Sequence, residues 1–242
     1  MHGGKEAGKR RGSEAVSLHD VLEDEGYAIA PDRIQADTLA RVANDFAHAA
    51  ERRSRAGIRH AMAFDSVAQT AQDPRILDIA QEILGQPAIP FRATLFDKSP
   101  ASNWLIVWHQ DTALPLKHRR DVPGWGPWSI KDGVNYAHAP AEVLSGVIAL
   151  RIHLDDSTLQ NGPLRVLPRT HQLGLLTDDQ IQALARDTKD VSCIVDAGGI
   201  VAMRPLLLHA SSKSQTDAPR RVLHIEYTCS LILPSKLELA VC

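Results

Sequence analysis

The spacing of apolar residues changes at about residue 86, and this change constrains the fold more than any other feature of the sequence. Before it, apolar residues recur at helical spacing. After Pro87 they occur in short runs separated by Pro, Gly, Asn and Asp, which is typical of strands and turns. A block of helices followed by many strands predicts an α+β chain, mainly β, in which an antiparallel β-sandwich is buttressed by the N-terminal helices.

Capping residues predict where the helices begin and end. Ser17 has the character of an N-cap, and Gly26 has that of a stop. The predicted helices run from Ser17 to Gly26, from Pro31 to about Arg55, from Asp73 to Gly85, and from Thr177 to Thr188. The predicted strands are 27–30, 89–96, 105–109, 144–154, 164–167, 192–195, 200–204 and 222–233.

The segment 117–140 is long, polar and rich in Trp, Pro and Gly. A loop of that length in a compact domain usually carries function, for instance as a lid. We therefore predict a functional loop here. Trp125 and Trp128 either line a substrate pocket or anchor the loop.

Length and composition limit the class of protein. A chain of 242 residues with 44% hydrophobic residues suits a single domain with a full core. We predict a flexible tail over 1–16 and one domain over 17–242, with its helical buttress in 17–86. A net charge of −2 argues against nucleic-acid binding, and the basic run Lys9-Arg10-Arg11 is expected to be solvated tail.

Targeting and redox signals are weak in this sequence. No uninterrupted apolar run is long enough to cross a membrane, and the N-terminus lacks an apolar signal-peptide core. The three cysteines are scattered and form no Cys-x-x-Cys pair, so a reducing cytoplasm is the expected location. The sequence leaves the oligomeric state open.

The motif Trp-His-Gln-Asp at 108–111 carries the most chemistry. Side chains two residues apart on a strand share a face, so His109 and Asp111 can reach one ion while Gln110 points away. His209 lies far downstream, and only a folded sheet could bring it to the same point. Two imidazoles and a carboxylate form the facial metal-binding set of non-haem iron oxygenases. The alternative is a hydrogen-bonded pair at a strand end.

The ordered motifs resemble the phytanoyl-CoA dioxygenase-like family of iron(II)/2-oxoglutarate oxygenases. The resemblance covers roughly residues 17–233 and includes the run from Asn161 to His171. It implies a double-stranded β-helix (jelly-roll) core with iron held by His109, Asp111 and His209. It also implies that Arg220, downstream of the second histidine, grips the far carboxylate of 2-oxoglutarate. Arg169 stands where the family often has Gly, at a turn rather than in the chemistry.

Two adjacent arginines compete for the carboxylate. If Leu223, Ile225 and Tyr227 pack under the N-terminal helices, strand alternation turns Arg220 toward the pocket and Arg221 away from it. A guanidinium suits a carboxylate because its planar fork makes a two-pronged, charge-assisted hydrogen bond. We favour Arg220.

The remaining polar candidates are less specific. Ser211 shares a strand face with His209 and could bind the same carboxylate of the co-substrate. Lys98 and Asn103 either approach 2-oxoglutarate or are turn residues. Arg151 and His153 share one face of a strand and, with Trp128, are candidates for the substrate end; the alternative for the Arg–His pair is a solvent-facing position. His171 is expected to be structural.

The predicted activity is iron(II)- and 2-oxoglutarate-dependent oxidation by O2 of an unactivated C–H bond in a small molecule, usually as hydroxylation. The resemblance implies succinate and CO2 as co-products. Two alternatives remain: a catalytically silent jelly roll that binds metal and 2-oxoglutarate, and a zinc hydrolase, against which Arg220 argues because metal-activated water needs no carboxylate clamp. The substrate cannot be read from the sequence.

Overall fold

The structure is a computed structural model that describes residues 16–49, 57–99 and 102–242. Its helices are α1 (Leu18–Glu25), α2 (Ala36–His48), α3 (Asp65–Ala71), α4 (Pro74–Leu84), α5 (Ala141–Leu144) and α6 (Asp178–Asp187). Its strands are β1 (Tyr27–Ala30), β2 (Gly57–Ile58), β3 (Ile89–Lys98), β4 (Ile106–His109), β5 (Ala113–Leu116), β6 (Trp128–Lys131), β7 (Val134–His138), β8 (Val147–His153), β9 (Leu164–Val166), β10 (Val191–Cys193), β11 (Ile200–Met203), β12 (His209–Ser211) and β13 (Arg220–Thr228).

The strands form the jelly roll that the family resemblance implies. A six-stranded sheet has the order β1-β11-β8-β13-β3-β2, and a four-stranded sheet has the order β10-β9-β12-β4. The paired strands in both sheets are antiparallel. A buried cluster that includes Leu164, Val166, Val201 and Met203 joins the two sheets. One end of the space between the two sheets is therefore apolar. The polar side chains described under the candidate active site occupy the remainder of that space.

The N-terminal helices cover one face of the six-stranded sheet. Leu223, Ile225 and Tyr227 of β13 share a buried cluster with Phe46 of α2 and Ile76 of α4. This packing turns the other face of β13 toward the four-stranded sheet, because neighbouring side chains of a strand point to opposite faces. The prediction of a helical buttress is confirmed for α1 to α4.

Most of the predicted helix ends are observed. Ser17 caps α1 with its side chain, Gly26 ends that helix in the left-handed conformation, and Thr177 forms a capping box with Gln180 at the start of α6. Helix α2, however, begins at Ala36 instead of Pro31 and ends at His48. The predicted end near Arg55 lies outside the described residues. Helix α3, which the sequence analysis missed, is a short element between α2 and α4.

The predicted loop at 117–140 is wrong in part, because it contains the hairpin of β6 and β7. These strands form a small sheet with β5 in the order β5-β7-β6. Asp132 and Gly133 at the turn both have positive φ, of 48° and 82°. An Asp-Gly pair with this geometry is typical of a tight hairpin turn. The signal was therefore present in the sequence but was obscured by the Pro- and Gly-rich residues before it.

Several strand boundaries also differ from prediction, and β2, β5 and β12 were not predicted. Strand β8 begins at Val147, because a short helix, α5, occupies 141–144. Strand β13 begins at Arg220 and ends at Thr228. The earlier start matters for function, since it places Arg220 within the paired strand, opposite Lys98 of β3.

The turn at Arg169 has the backbone conformation that suits the glycine expected there from the resemblance. Arg169 has φ of 69°, in the left-handed region that favours glycine. Its guanidinium forms ion pairs with Asp24 (2.9 Å) and Glu25 (2.7 Å) of α1. His171, two residues later, contacts the carbonyl oxygen of Glu23 through Nε2 at 3.1 Å, which agrees with a structural role.

The division into a tail over 1–16 and a domain over 17–242 stays a prediction, because residues 1–15, with the basic run, lie outside the described residues. Within the described ranges, no helix combines the length and apolar character that crossing a bilayer would need.

Gly26 gives a test of the packing between α1 and the turn at His171. A Cβ at Gly26 would lie 2.4 Å from His171 Nδ1 and 2.8 Å from Leu207 Cδ1, at φ of +83°. Gly85 also has positive φ, but a Cβ there meets nothing within 4 Å. We expect Gly26→Ala to lower the free energy of unfolding by about 3 kcal/mol, from backbone strain plus overpacking, and Gly85→Ala by about 1 kcal/mol. Urea denaturation measures both; equal losses would contradict this packing.

Candidate active site

The two distant histidines meet through strand pairing. Strand β12 pairs antiparallel with β4 and places His209 directly opposite His109. The ring centroids are 4.2 Å apart. Backbone hydrogen bonds between two sheet strands therefore set the distance between the imidazoles, with little freedom left to the side chains.

Asp111 completes a compact set of ligand atoms. One carboxylate oxygen lies 3.8 Å from His109 Nε2, and the other lies 3.5 Å from His209 Nε2. All three ligand atoms lie within 4.8 Å of one another. This is the spacing of atoms that can share one ion, and the structure brings together the three residues that the sequence singled out.

Second hydrogen bonds orient both imidazoles. His109 Nδ1 lies 2.8 Å from the carbonyl oxygen of Val107, and His209 Nδ1 lies 2.9 Å from that of Leu207. A carbonyl oxygen can only accept, so Nδ1 carries the proton in each ring. In the neutral form of each ring, Nε2 then presents a lone pair, which is the form that binds metal.

The protonation states also favour metal binding. Burial lowers the pKa of His209 to about 3, and the neighbouring His109 adds to the effect. Burial alone would raise the pKa of the Asp111 carboxyl, but the two imidazoles outweigh it and hold that pKa well below its usual range. At neutral pH the site therefore offers a neutral imidazole at His209 and an ionised carboxylate.

Gln110 anchors the motif from behind. Its amide nitrogen donates to the carbonyl oxygens of Leu206 (2.7 Å) and Gly174 (2.8 Å), and its oxygen accepts from the backbone N–H of Leu176. Strand β4 ends at His109, and the Asp111 N–H donates to Pro205 O at 2.9 Å. Asp111 thus lies just beyond the strand, in a segment tied to the approach to β12.

A cavity beside the three residues contains the predicted arginine. Arg220 and Ser211 line it together with His109, Asp111 and His209. Ser211 Oγ accepts from Lys98 Nζ (2.6 Å) and Arg220 Nη2 (3.3 Å), and donates to the carbonyl oxygen of Gly162 (2.9 Å). One hydroxyl therefore connects two cations at this end of the cavity.

Gly162 permits this arrangement by its lack of a side chain. It has φ of +67°, and a Cβ there would lie 2.3 Å from the carbonyl oxygen of Ser212 and 3.1 Å from Lys98 Nζ. The buried Asn161 before it holds the turn, because its amide donates to the Asp156 carbonyl oxygen at 2.8 Å. The Asn-Gly motif therefore shapes the wall behind Ser211.

Three residues that line this cavity have a buried donor without a partner. Among the described residues, Arg220 Nη1, Arg151 Nε and Trp104 Nε1 have no hydrogen-bond acceptor. A buried unsatisfied donor costs about 1–3 kcal/mol, so such groups normally indicate a missing partner. Trp104 was missed by the sequence analysis, since a lone tryptophan before the metal motif carries no pattern.

The cavity has a cationic wall. Arg151 and Arg220 line it, and Lys98 lies behind Ser211; all three are buried, and none has a carboxylate within ion-pair distance in the described ranges. Burial, with repulsion from Arg220 and Arg151, lowers the pKa of Lys98 to about 7. Burial, with repulsion from Arg151, lowers the pKa of Arg220 to about 9. An anion entering this cavity would relieve these costs.

Other predicted site residues lie elsewhere. Arg221 is held by both oxygens of Asp155, at 2.7 and 2.8 Å. Asn103 makes two hydrogen bonds to the backbone of Ser214 and does not line the cavity. His153 is fully buried, and burial lowers its pKa to about 3. Trp128 packs on the apolar cluster beneath the small sheet.

Comparison with known proteins agrees with the geometry. The family model "Phytanoyl-CoA dioxygenase (PhyH)" matches residues 22–222. The chain therefore belongs to the phytanoyl-CoA dioxygenase family.

Individual relatives are more distant. L-proline trans-4-hydroxylase from Streptomyces griseoviridis is 26% identical over 191 residues, which are 68% of this chain and only 63% of the relative. The alpha-ketoglutarate-dependent epimerase SnoN of nogalamycin biosynthesis superimposes with a TM-score of 0.65 at 18% identity, over 88% of this chain and 82% of SnoN. EctD from S. alaskensis has a TM-score of 0.64 at 20% identity, over 86% and 74%. The structural matches show a shared fold.

Removal of one imidazole tests the metal site. We expect His209→Ala to reduce bound Fe²⁺ per chain to near zero, because two remaining ligands cannot hold the ion on one face. His171→Gln, which changes a histidine outside the cavity, should keep full iron content. Elemental analysis of anaerobically loaded, desalted protein measures both, and full iron content in His209→Ala would refute this site.

Proposed function

We propose that the protein is an iron(II)- and 2-oxoglutarate-dependent dioxygenase that hydroxylates, or otherwise oxidises, an unactivated C–H bond of a small molecule. The observation that carries the proposal is a cavity lined both by the His/Asp/His metal set and by two buried arginines, Arg151 and Arg220, which have no carboxylate within ion-pair distance in the described ranges. Fold neighbours support it: SnoN has been solved with Fe³⁺ and alpha ketoglutarate, and EctD with Fe and with 2-oxoglutarate.

The residues present fit an iron(II) ion. His109 and His209 would bind through Nε2 and Asp111 through a carboxylate oxygen, which is the ligand set of non-haem iron oxygenases. The backbone carbonyls on both Nδ1 atoms fix the ring orientations before any ion binds. Three ligands on one side leave the opposite face open for a co-substrate and O2.

The cavity also fits a dianion such as 2-oxoglutarate. Arg220 Nη1 has no acceptor among the described residues, and Ser211 and Lys98 adjoin the same guanidinium. We infer that Arg220 and Ser211 bind the carboxylate far from the metal, while Lys98 supports Ser211 and adds charge. Trp104 Nε1 is a further donor that the sequence analysis did not identify. Asn103 holds the backbone of Ser214 and has no direct part in this clamp.

Bound iron and 2-oxoglutarate supply the oxidising equivalent, taken from O2, that cleaves the substrate C–H bond, and leave succinate and CO2. The chain contributes position, and burial on the side of His209 and Arg220. Ile106 and Leu164 line the cavity, and the His209 side chain is 6% exposed, whereas those of His109 and Asp111 are 37% and 32% exposed. Charge-assisted hydrogen bonds from the buried Arg220 would orient the co-substrate.

Fewer contacts support the proposal for the residues that adjoin the substrate than support the proposal for the 2-oxoglutarate clamp. Arg151 lines the cavity beside the metal set and lies 3.0 Å from His224 Nδ1, so it is placed to adjoin both co-substrate and substrate. His153 and Trp128 line neither this cavity nor the one described below. We keep Arg151 as a substrate-proximal residue.

A cytoplasmic location is proposed from the cysteines. Cys193, Cys229 and Cys242 are all free. Free thiols persist where the environment is reducing.

Arg220 gives the sharpest test of the co-substrate site. We expect Arg220→Ala to weaken 2-oxoglutarate binding by about tenfold or more, because a charge-assisted hydrogen bond in a buried site contributes about 1.5–3 kcal/mol. Arg220→Lys should be intermediate, since it keeps the charge and loses the fork. Isothermal titration of the anaerobic iron(II) protein measures the affinities.

Arg221→Ala is the matched control, because this residue is adjacent in sequence and paired with Asp155 on the other face. It should bind 2-oxoglutarate as the unmodified protein does. Equal affinity in Arg220→Ala would refute the clamp. Binding without succinate formation in the presence of O2 and ascorbate would instead identify a silent binding protein.

A further inference from the structure

A second cavity, of about 160 Å³, adjoins the metal set from the other side. It shares Asp111 and Phe96 with the first cavity but none of the residues around Arg220. Phe96 and Asp111 therefore border both compartments. A molecule in the second compartment would lie beside the metal-binding carboxylate without displacing a co-substrate held by Arg220.

The second cavity is built by the hairpin that the sequence analysis took for a loop. Lys131 is the last residue of β6, and Tyr136 lies on β7. Arg59 follows β2 at the opposite side and is exposed. Arg59 Nη1 lies 3.9 Å from the Asp132 carboxylate at the hairpin turn, so the turn and the end of β2 approach each other across the cavity.

The walls carry more positive than negative charge. Of the cations that line the cavity, Arg92 is paired with the buried Glu226, and Arg59 has only its long contact with Asp132, whose side chain is 65% exposed. Lys131 has no carboxylate within ion-pair distance in the described part of the chain; its Nζ lies 4.7 Å from the centre of the Tyr136 ring. Asp111 belongs to the metal set. One cation thus remains uncompensated at the wall.

Lys131 is also partly withdrawn from water. Burial lowers the pKa of its ammonium, with repulsion from Arg92 and Arg59 adding to the effect. A half-buried cation near other cations raises the free energy of the empty cavity. Binding of an anion would lower that free energy.

We propose, on the basis of the proposed function, that this cavity receives the substrate and that Lys131 and Arg59 bind a carboxylate of it. A single uncompensated charge suits a carboxylate, which is a monoanion, better than a phosphate monoester with about −1.5 to −2. The small cavity volume and the polar walls suit a compact acid. Lys131 holds the carboxylate inside the cavity, and Arg59 closes its mouth.

This geometry also constrains which carbon is oxidised. Lys131 and Asp111 line the same cavity, so a carboxylate at Lys131 directs the other end of the substrate toward the metal face. The oxidised C–H bond is therefore expected to lie away from the carboxyl group. The β6–β7 hairpin would set this distance, because it fixes Lys131 through the Asp132-Gly133 turn.

The first experiment uses the unmodified protein with iron(II), 2-oxoglutarate, ascorbate and O2. The probes are the proteinogenic amino acids and a set of short aliphatic acids, each tested beside its methyl ester, and a set of small phosphate esters. We expect at least one acid to raise succinate formation above the substrate-free rate and to gain one oxygen atom by mass spectrometry. Its methyl ester should raise succinate formation by less than about a tenth as much.

The second experiment changes the cations. For the acid found, Lys131→Met should raise KM about tenfold or more with a smaller effect on kcat, because the lost contact is equal in ground and transition states. Lys131→Arg should restore most of the affinity, and Arg59→Gln should raise KM less. Lys117→Met is the control: Lys117 follows β5 in the same small sheet, and it is paired with Glu238 outside the cavity. It should leave KM unchanged.

The outcomes separate this inference from the proposed function. The carboxylate site is wrong if an ester or a phosphate ester serves as well as the acid, or if Lys131→Met leaves KM unchanged. It is also wrong if the protein forms succinate without a substrate and none of the acids increases that rate. In each of these cases the oxygenase activity itself still stands. If the protein forms no succinate under any condition, the proposed function itself fails.

Discussion

The pairing of β12 with β4 is the contact on which the rest of the site depends. It places His209 across from His109 by backbone hydrogen bonds alone, between strands that lie far apart in the sequence. The carbonyl oxygens of Val107 and Leu207, on the same strands or beside them, then orient each ring. A shift of one residue in this register would turn one imidazole to the other face, and no metal could bridge the two. Long-range pairing therefore sets the chemistry.

One face of strand β13 packs in the hydrophobic core, and its other face buries charged side chains of the site, which is unfavourable for folding. Its Leu223, Ile225 and Tyr227 pack under the helices, while Arg220 and His224 point into the space between the sheets. Burying cations is unfavourable unless they are paired. The helix-covered face supplies the hydrophobic free energy that offsets this cost. The resulting excess of positive charge is the basis for the proposal that anions bind on both sides of Asp111.

Local signals in the sequence predicted much of this arrangement. Caps at Ser17, Gly26 and Thr177 gave the helix ends, and the alternation along β13 distinguished Arg220 from Arg221. These features depend on residues near in sequence, whose geometry repeats in every helix or strand. The hairpin at Asp132-Gly133 was equally local but was overlooked, because the Trp- and Pro-rich residues before it resemble a loop.

By itself, then, the sequence determined most of the helices, many of the jelly-roll strands, the three candidate metal ligands and the face on which Arg220 lies. Only the tertiary structure decided which donors share a cavity: Trp104 with Arg220 on one side of Phe96, and Lys131 with Arg59 on the other. The residues that share a cavity do not recur at any regular spacing in the sequence. These groupings arise from packing between the sheets and across the hairpin, where each distance depends on many strand pairings together. The spacing of residues in the sequence therefore cannot predict them.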